Sequence, residues 1–395
     1  MLRALWHHSA LRQARLRLAS RDQDVVDDQI AISEIAAPTG EEIDRARWVA
    51  RRFEALRLSN VRIDDAGNVI GRRPGTIDAP PVVVCAHLDT VFPRQTRVSV
   101  TRDGNRLSGP GIGDNGRGVA AMLALAAAID GETLAPERPV DFIGTTGEEG
   151  AGDLRGAKHV FAHDHREATA AIILDGAGDE RIVHRALASR RYRLTFQGPG
   201  GHSWTAFGVP NAVHAAAMAT ARLARLPLPA SPRTTVSVGR IGGGISVNSI
   251  PDRAWLEVDV RSASPAMVER MDRQVRDAAA AATVEENARR AIGTTALTYK
   301  VEVIGARPGG ETPSDHPLVL AAMEATRLIG RDPELAIAST DANVPISLGI
   351  PAIAIGAGGR GGAAHTAGEW FENTDGPLGL SRALGVVVSA AGLTL

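Results

Sequence analysis

Residues of the kinds that bind divalent metal ions lie at or near the ends of several predicted strands in this sequence. They are His87 with Asp89, Asp114, the pair Glu148 and Glu149, Asp175, and His365. Imidazole nitrogens and carboxylate oxygens are common zinc ligands in proteins. Open α/β sheets bind their ligands at the carboxyl ends of the strands, because the loops diverge there. The joint pattern therefore indicates a metal site, although each residue alone could be a turn or helix-cap residue.

Composition excludes several classes of protein. The chain has 395 residues, of which 44% are apolar and 23% are charged, as in ordinary globular proteins. The 44 Lys and Arg residues nearly balance the 45 Asp and Glu residues, so no basic field favours nucleic-acid binding. The longest apolar run, Val119–Ile129, has 11 residues, whereas a membrane-spanning helix needs about 20. The lone cysteine, Cys85, excludes an intramolecular disulfide framework, and we expect a reducing, cytoplasmic location.

Two glycine-rich stretches match G-x-G-x-x-G but lack the surroundings that this motif needs. Gly111–Gly116 follows polar residues rather than a buried strand, and its Asp114 would repel a pyrophosphate. Gly356–Gly361 follows a strand but does not precede an amphipathic helix. Because the dinucleotide fingerprint requires strand, turn and helix together, neither stretch predicts a nucleotide site.

Strands that alternate with helices predict an α/β architecture with a largely parallel sheet in the first part of the chain. Strands are expected at Pro81–Ala86, Val140–Thr145 and Ala170–Leu174, with a helix over about Asn115–Ile129. Thr39-Gly40-Glu41-Glu42 has the form of a capping box and predicts that Thr39 caps the helix that follows. Residues 1–22 are rich in arginine, and we expect a surface helix or a loose N-terminal extension there.

The pattern changes between residues 186 and 307. Strands are expected at Tyr192–Gln197, Thr234–Arg240, Ala254–Arg261 and Ala296–Ile304, and helices at Asn211–Leu226 and Pro265–Arg290. The order β-α-β-β-α-β is that of a ferredoxin-like unit. The chain is therefore expected to form one α/β domain from residues 1–185 and 308–395, interrupted by a small inserted domain.

These residues and their order resemble the cocatalytic dizinc metallopeptidases, the family that includes peptidase T, carboxypeptidase G and aminoacylases. The resemblance extends from about Ile30 to the C terminus, and the segment His365–Glu369 is most similar to peptidase T. It implies a zinc-peptidase-like α/β/α catalytic domain with an inserted ferredoxin-like lid. Such lids often form homodimers, so the resemblance also implies a second copy of the chain as a partner.

The resemblance implies two Zn²⁺ ions per subunit, with Co²⁺ or Mn²⁺ as possible substitutes. One ion would be held by His87, Asp114 and Asp175, and the other by Asp114, Glu149 and His365. Asp114 would bridge the two ions, which in such sites lie about 3.5–4 Å apart.

Two further residues of this part of the chain receive a role from the resemblance. Glu148 resembles the general base, which would take a proton from a metal-bridging hydroxide or water and return it to the leaving amine. Asp89 resembles the carboxylate that accepts the second ring N–H of His87 and so fixes its tautomer.

The inserted domain supplies three more candidate residues. His202, within Gly198–Ser203, resembles a lid histidine that stabilises the oxyanion and can reach the active site of a partner subunit. The alternative is that it only caps the loop before the next helix. Asn248 and Arg261 resemble the substrate-binding pair of the family, and Arg261 would hold a substrate carboxylate through two parallel hydrogen bonds. Otherwise it is a surface arginine at a strand end.

The sequence therefore predicts a dizinc hydrolase of amide bonds in small peptides, and an aminopeptidase of the di- or tripeptidase type is favoured. An N-acyl-amino-acid amidohydrolase or a carboxypeptidase is the alternative. A non-catalytic binding protein with this fold is less favoured, because every implied ligand and the implied base are present. The expected partners are a small peptide or N-acyl amino acid and a second copy of the chain, and neither nucleic acid nor a membrane.

Overall fold

The computed structural model describes residues 2–394 of the chain. These residues form two compact units. The first, called the α/β unit below, comprises the chain up to Ala186 and again from Glu311 onward. The second, called the inserted unit, comprises Leu187–Gly310.

The helices and strands are numbered in chain order. The helices are α1 (Leu2–Trp6), α2 (Ser9–Ser20), α3 (Asp22–Ser33), α4 (Ile43–Ala55), α5 (Gly116–Ala128), α6 (Arg155–Ala162), α7 (Ala212–Ala224), α8 (Pro265–Asn287), α9 (Pro317–Leu328), α10 (Asn343–Ser347) and α11 (Gly376–Ala391). The strands are β1 (Ser59–Ile63), β2 (Val69–Arg73), β3 (Val82–His87), β4 (Thr101–Asp103), β5 (Arg106–Ser108), β6 (Val140–Thr145), β7 (Ala170–Leu174), β8 (Arg181–Ala186), β9 (Ala188–Gln197), β10 (Gly201–His202), β11 (Thr234–Gly243), β12 (Ser249–Ile250), β13 (Arg253–Ser262), β14 (Thr298–Arg307), β15 (Gly310–Glu311), β16 (Glu334–Ala338), β17 (Ala352–Ile355), β18 (Arg360–Gly362) and β19 (Trp370–Glu372).

Within residues 2–394, the main sheet has nine strands in the order β1-β2-β6-β3-β7-β17-β8-β15, with β16 paired to β8. The central strands β6, β3, β7 and β17 are parallel. The pairs β1–β2, β2–β6 and β17–β8 are antiparallel. The predicted α/β class is thus confirmed, and the parallel part of the sheet is its centre.

Two apolar cores lie on opposite faces of this sheet. Successive side chains of a strand point to opposite faces. Accordingly Val82 and Val84 of β3 belong to the core that contains α5 and α11, whereas Val83 and Cys85 belong to the core that contains α6. The α/β unit is therefore a sheet between two layers of helices, and the carboxyl ends of its central strands share one edge.

The N-terminal segment is helical, which agrees with the first of the two expected alternatives, and it is not a loose extension. Residues 2–20 form α1 and α2, and Leu2, Leu11, Ala14 and Leu18 are buried in the same core as α5 and α11. The physical reason is that these apolar residues recur at helical spacing on one face, while the arginines occupy the other faces. The first residues are thus an integral part of the α/β unit.

The predicted capping box is wrong. Helix α4 begins at Ile43, and the residue before it, Glu42, makes no side-chain cap. The Thr39 hydroxyl instead donates a 2.8 Å hydrogen bond to the carboxylate of Asp89. The Glu42 carboxylate accepts from the backbone N–H groups of Gly40 and Gly147, at 2.8 and 3.0 Å, and from Arg155. Both side chains therefore stabilise the loops that follow β3 and β6.

The inserted unit has a four-stranded antiparallel sheet in the order β11-β13-β9-β14. Helices α7 and α8 contribute to its separate apolar core. The chain order β9-α7-β11-β13-α8-β14 is that of the split βαβ arrangement. A short ribbon, β10 with β12, lies outside the four-stranded sheet. In the part of the chain that the structure describes, no helix combines the length and apolarity needed to cross a membrane.

Candidate metal centre

His87 is the last residue of β3 and is almost completely buried. Its Nε2 lies 3.0 Å from Oδ1 of Asp114, and its Nδ1 lies 3.1 Å from the backbone oxygen of Asp89. Burial alone would lower the pKa of His87, but the carboxylates of Asp114 and Asp89 hold that pKa well above its usual value. These carboxylates therefore favour the protonated form of the imidazole.

The Asp89 carboxylate holds the loop that follows β6. It accepts hydrogen bonds of 2.9 Å from the backbone N–H groups of Glu148 and Glu149, as well as the bond from Thr39. Its nearest oxygen is 3.5 Å from Nδ1 of His87, so the ring bonds to the Asp89 backbone oxygen rather than to the expected carboxylate. Burial raises the pKa of Asp89, but the interactions with His87 and these donors lower it to about 2.

Asp114 lies between the two histidines. Its Oδ1 contacts His87, and its Oδ2 lies 3.1 Å from Nε2 of His365. These two interactions outweigh the effect of burial and keep the pKa of Asp114 well below its usual value. An ionised carboxylate with one oxygen directed to each histidine has the arrangement that a bridging ligand requires.

Glu149 and His365 form the other side of the cluster. Nε2 of His365 lies 2.8 Å from Oε1 of Glu149, and the hydrogen bond to Asp114 raises the pKa of His365 to about 9. Burial raises the pKa of Glu149. Ligand atoms of His87, Asp114 and Glu149 lie within 4.8 Å of one another, in an arrangement that could hold a metal ion.

Asp175 follows β7 and approaches the same histidine from a third loop. Its Oδ1 lies 4.0 Å from Nε2 of His87. Burial, followed by the negative charge of Asp114, raises the pKa of Asp175 to about 7. The structure thus brings together His87, Asp114, Glu149, Asp175 and His365. In this cluster, three carboxylates lie around two histidines.

Glu148 lies beside this cluster, next in the chain to Glu149, and its side chain is buried. The loop that carries it follows β6, where the Thr145 hydroxyl donates a 2.5 Å hydrogen bond to Asp341. The Ser339–Asn343 loop therefore contacts the strand that precedes the glutamate pair.

Asn115 is a site residue to which the sequence interpretation gave no role. Its Nδ2 donates a 2.9 Å hydrogen bond to the backbone oxygen of Leu174, and its Oδ1 accepts from the N–H groups of Gly118 and Gly176, both at 3.1 Å. It therefore connects the start of α5 to the loop of Asp175. The preference for Asn at the residue before a helix is a sequence signal that could have indicated this residue.

The three remaining candidate residues belong to the inserted unit. His202 lies in β10, opposite Ser249 of β12, and the backbone oxygen of Asn248 accepts a 3.0 Å hydrogen bond from Ser203 N–H. His202 and Asn248 thus belong to one ribbon. Nδ1 of His202 accepts a hydrogen bond from the Trp204 N–H at 3.2 Å, so the neutral ring carries its proton on Nε2.

Arg261 lies at the other end of the inserted sheet. On β13, Arg261 is opposite Ser189, whereas Arg253 is opposite Gln197, close to the His202 ribbon. Eight residues of strand separate these two positions, which corresponds to roughly 26 Å. Nε of Arg261 donates to Asp259 at 2.7 Å. Within one inserted unit, a single substrate carboxylate therefore does not reach both Asn248 and Arg261.

A family model described as Peptidase family M20/M25/M40 matches residues 83–387. The chain belongs to this family. The match spans well over half of the chain, and the family resemblance inferred from the sequence is confirmed. The chain is accordingly a peptidase-family hydrolase, and the alternative of a non-catalytic binding protein is set aside.

Curated relatives include a probable carboxypeptidase of Aspergillus terreus, which is 28% identical over 296 residues, or 66% of this chain and 67% of that protein. A probable carboxypeptidase of Aspergillus flavus is 28% identical over 223 residues, or 51% of each protein. The matched region thus spans about half to two thirds of these relatives.

Several solved structures share the fold. A tripeptidase from Staphylococcus aureus has a TM-score of 0.76 at 24% identity, covering 93% of this chain and 98% of that one. The aminopeptidase PepT of Bacillus cereus has a TM-score of 0.74 at 23% identity, with the same two coverages. A di-peptidase of Saccharomyces cerevisiae has a TM-score of 0.75 at 13% identity, covering 97% and 99%. At these identities the likeness shows the fold.

Proposed function

We propose that the chain is a dizinc hydrolase of small peptides and acts as an aminopeptidase of the di- or tripeptidase type. The observation that carries the proposal is a chain of contacts of 2.8–3.1 Å that runs from His87 to Asp114, from Asp114 to His365 and from His365 to Glu149. His87, Asp114 and Asp175 would hold one cation, and Asp114, Glu149 and His365 the other.

The chemistry of these residues fits zinc. The cluster offers two imidazole nitrogens and three carboxylates, which are the ligand types found in catalytic zinc sites, and it contains no thiolate. The raised pKa values of His87 and His365 favour their protonated forms, whose positive charge offsets part of the charge of the acids. When bound, divalent cations supply Lewis acidity to a carbonyl oxygen and lower the pKa of a nearby water. Cobalt and manganese share these properties and are possible substitutes.

Glu148 is proposed as the general base. Its backbone N–H is fixed by Asp89, so the carboxylate stands on a rigid loop beside the cluster. A glutamate in this position would take a proton from the attacking water and deliver it to the leaving amine nitrogen. Asp89 is then a positioning residue, because it holds both Glu148 and its neighbour Glu149.

His202 is proposed to stabilise the developing oxyanion. The hydrogen bond that Nδ1 accepts leaves Nε2–H as a donor, which is the form that this role requires. Asn248 and Arg261 are proposed to bind the substrate. Because Arg261 and the ribbon of Asn248 lie near opposite ends of β13 within one inserted unit, we propose that two copies of the chain form a homodimer, so that one substrate can meet residues from both.

An N-acyl-amino-acid amidohydrolase or a carboxypeptidase is the second candidate. The observation that favours the latter is the name of the curated relatives, which are probable carboxypeptidases. The reducing, cytoplasmic location expected from the lone Cys85 remains a prediction.

Metal analysis and a substrate panel test the proposed function. We expect two divalent cations per chain and faster hydrolysis of Leu-Gly and Leu-Gly-Gly than of their N-acetylated forms, because an aminopeptidase needs a free amino group. Amides of the same peptides should be poorer substrates if Arg261 binds the carboxylate. Preference for N-acetyl peptides would support the alternative, and a protein that neither binds cations nor hydrolyses any member would refute both.

A further inference from the structure

Glu369 lies beneath the proposed bridging ligand. Its side chain is buried, and its carboxylate accepts three backbone hydrogen bonds from one turn. Oε1 accepts from the N–H groups of Gly113 and Asp114, both at 2.8 Å, and Oε2 accepts from Gly111 at 2.9 Å. A single carboxylate thus holds the backbone of this turn at Asp114, the proposed bridging ligand.

Glycines in the turn Gly111–Asp114 leave space for close packing of the neighbouring side chains. Gly111 has a φ of 73°, which side chains rarely tolerate, and a Cβ there would lie 2.8 Å from Cγ2 of Thr90. A Cβ on Gly113 would lie 3.2 Å from Oε1 of Glu369. Both glycines match a nucleotide-binding motif in the sequence, yet their N–H groups donate to a buried carboxylate of the protein.

The backbone of Glu369 is itself held in place. Its carbonyl oxygen accepts a 3.0 Å hydrogen bond from Gly109 N–H, and the next residue, Trp370, begins β19 and is paired with Ser108 of β5. His365 lies four residues earlier in the same segment and contacts the Asp114 side chain. Residues 365–369 therefore hold Asp114 from two sides, with His365 at its carboxylate and Glu369 at its backbone.

Burial of a carboxylate beneath a turn costs free energy, because the charged group must be removed from water. Three N–H donors offset part of that cost, and the fully buried Arg45 adds an attractive charge. The guanidinium of Arg45 is fixed by the backbone oxygens of Ile35 and Leu88, both at 2.8 Å. A fixed negative charge at this position also adds to the attraction that the cluster exerts on a cation.

We propose that Glu369 is a positioning residue that directs the two oxygens of Asp114 to the two cation positions and so determines cation affinity. This inference rests on the proposed function, because it presupposes cations at Asp114. Carboxylates that orient metal ligands typically change cation affinity about 10- to 100-fold when they are replaced. An amide in place of the carboxylate removes the charge and presents a donor to at least one of the three N–H groups.

Calorimetric titration of the metal-free protein with Zn²⁺, and with Co²⁺ for its visible absorption, tests this proposal in Glu369→Gln. We expect at least one dissociation constant to rise about tenfold or more, and the cobalt spectrum to change, because the bridging carboxylate is displaced. The matched control is Glu372→Gln, a half-buried glutamate of β19 whose Oε1 accepts from the Thr374 hydroxyl. Its dissociation constants and spectrum should equal those of the wild type.

Gly113→Ala provides a second variant that keeps the charge. Its Cβ would push the Glu369 carboxylate by a few tenths of an ångström, and we expect a smaller loss of affinity, of a few fold, with the cobalt spectrum shifted in the same direction. Cation affinities and spectra equal to the wild type in both variants would overturn the inference. A wild-type protein that binds no cation would overturn the proposed function as well, so the two failures are distinguishable.

Discussion

The two ends of the central sheet bury carboxylates in opposite electrostatic surroundings. Near the start of β6, Asp141 accepts two 2.7 Å hydrogen bonds from Arg72 and lies 2.8 Å from Nε2 of His165. Burial would raise the pKa of Asp141, but these partners lower it. At the carboxyl end, burial and the charge of Asp114 raise the pKa of Asp175 to about 7.

The difference separates a buried acid that is neutralised within the protein from a cluster of acids that is not. Asp141 is neutralised by a protein cation, Arg72, so this end of the sheet is electrostatically complete without a ligand. At the other end, three acids share His87 and His365, and no arginine is bonded to them among the interactions described for these residues. Buried negative charge requires a partner, and divalent cations are the partner that these residues suit.

The largest expected effect is at the carboxyl end. Glu148→Gln should lower turnover by a factor of about 10²–10⁴, because the proton acceptor is lost, while both cations remain bound. Peptide hydrolysis measured on metal-replete protein, together with elemental analysis, checks this expectation. Glu149→Gln is the matched comparison, since it should lose a cation as well as activity. Wild-type turnover in a metal-replete Glu148→Gln protein would exclude Glu148 as the base.

The next effect is at the opposite end and concerns stability. Asp141→Ala leaves Arg72 and His165 without their acceptor and should lower the free energy of unfolding by about 3 kcal/mol, near the lower limit for a buried pair because Arg72 is partly exposed. Urea denaturation measures this, and the cation affinity of the folded protein should not change. Asp164→Ala, which breaks an exposed ion pair with Arg62, should change stability by less than about 0.5 kcal/mol. Equal effects of the two substitutions would contradict the comparison.

The smallest effect, when it is counted per pH unit, is a pH dependence of the metal-free protein. Folding raises the pKa of Asp175 from 3.8 to about 7, so its ionisation destabilises the folded state as the pH rises through this range. Between about pH 4.5 and 6.5, the unfolding free energy should therefore fall by up to about 1.4 kcal/mol per pH unit more in the wild type than in Asp175→Asn. Denaturation series at several pH values test this. Identical slopes in the two proteins would show that folding does not raise the pKa of Asp175.

The sequence predicted best those elements whose burial in the structure matches their hydrophobic pattern. Val140–Thr145 and Ala170–Leu174 coincide with β6 and β7, because short, largely apolar segments are typical of parallel strands that are buried on both faces. The short strand β18, Arg360–Gly362, has no such pattern, and it exists because β19 pairs with it and with β5. Thr39 and Glu42 match a capping box by type and spacing, yet both form hydrogen bonds with loops that are distant in the chain.

The sequence by itself determined the chemical types of the candidate ligands and their positions after predicted strands, because residue type and hydrophobic pattern are local properties. The tertiary structure alone decided which atoms meet. Asp114 contacts His365 across 251 positions of the chain, and Glu369 fixes the turn of Asp114 across 255. Such contacts depend on how strands are ordered and paired in the sheet. They also depend on backbone N–H groups, whose partners cannot be inferred from residue type. The geometry of the candidate metal site therefore depends on contacts that no local pattern encodes.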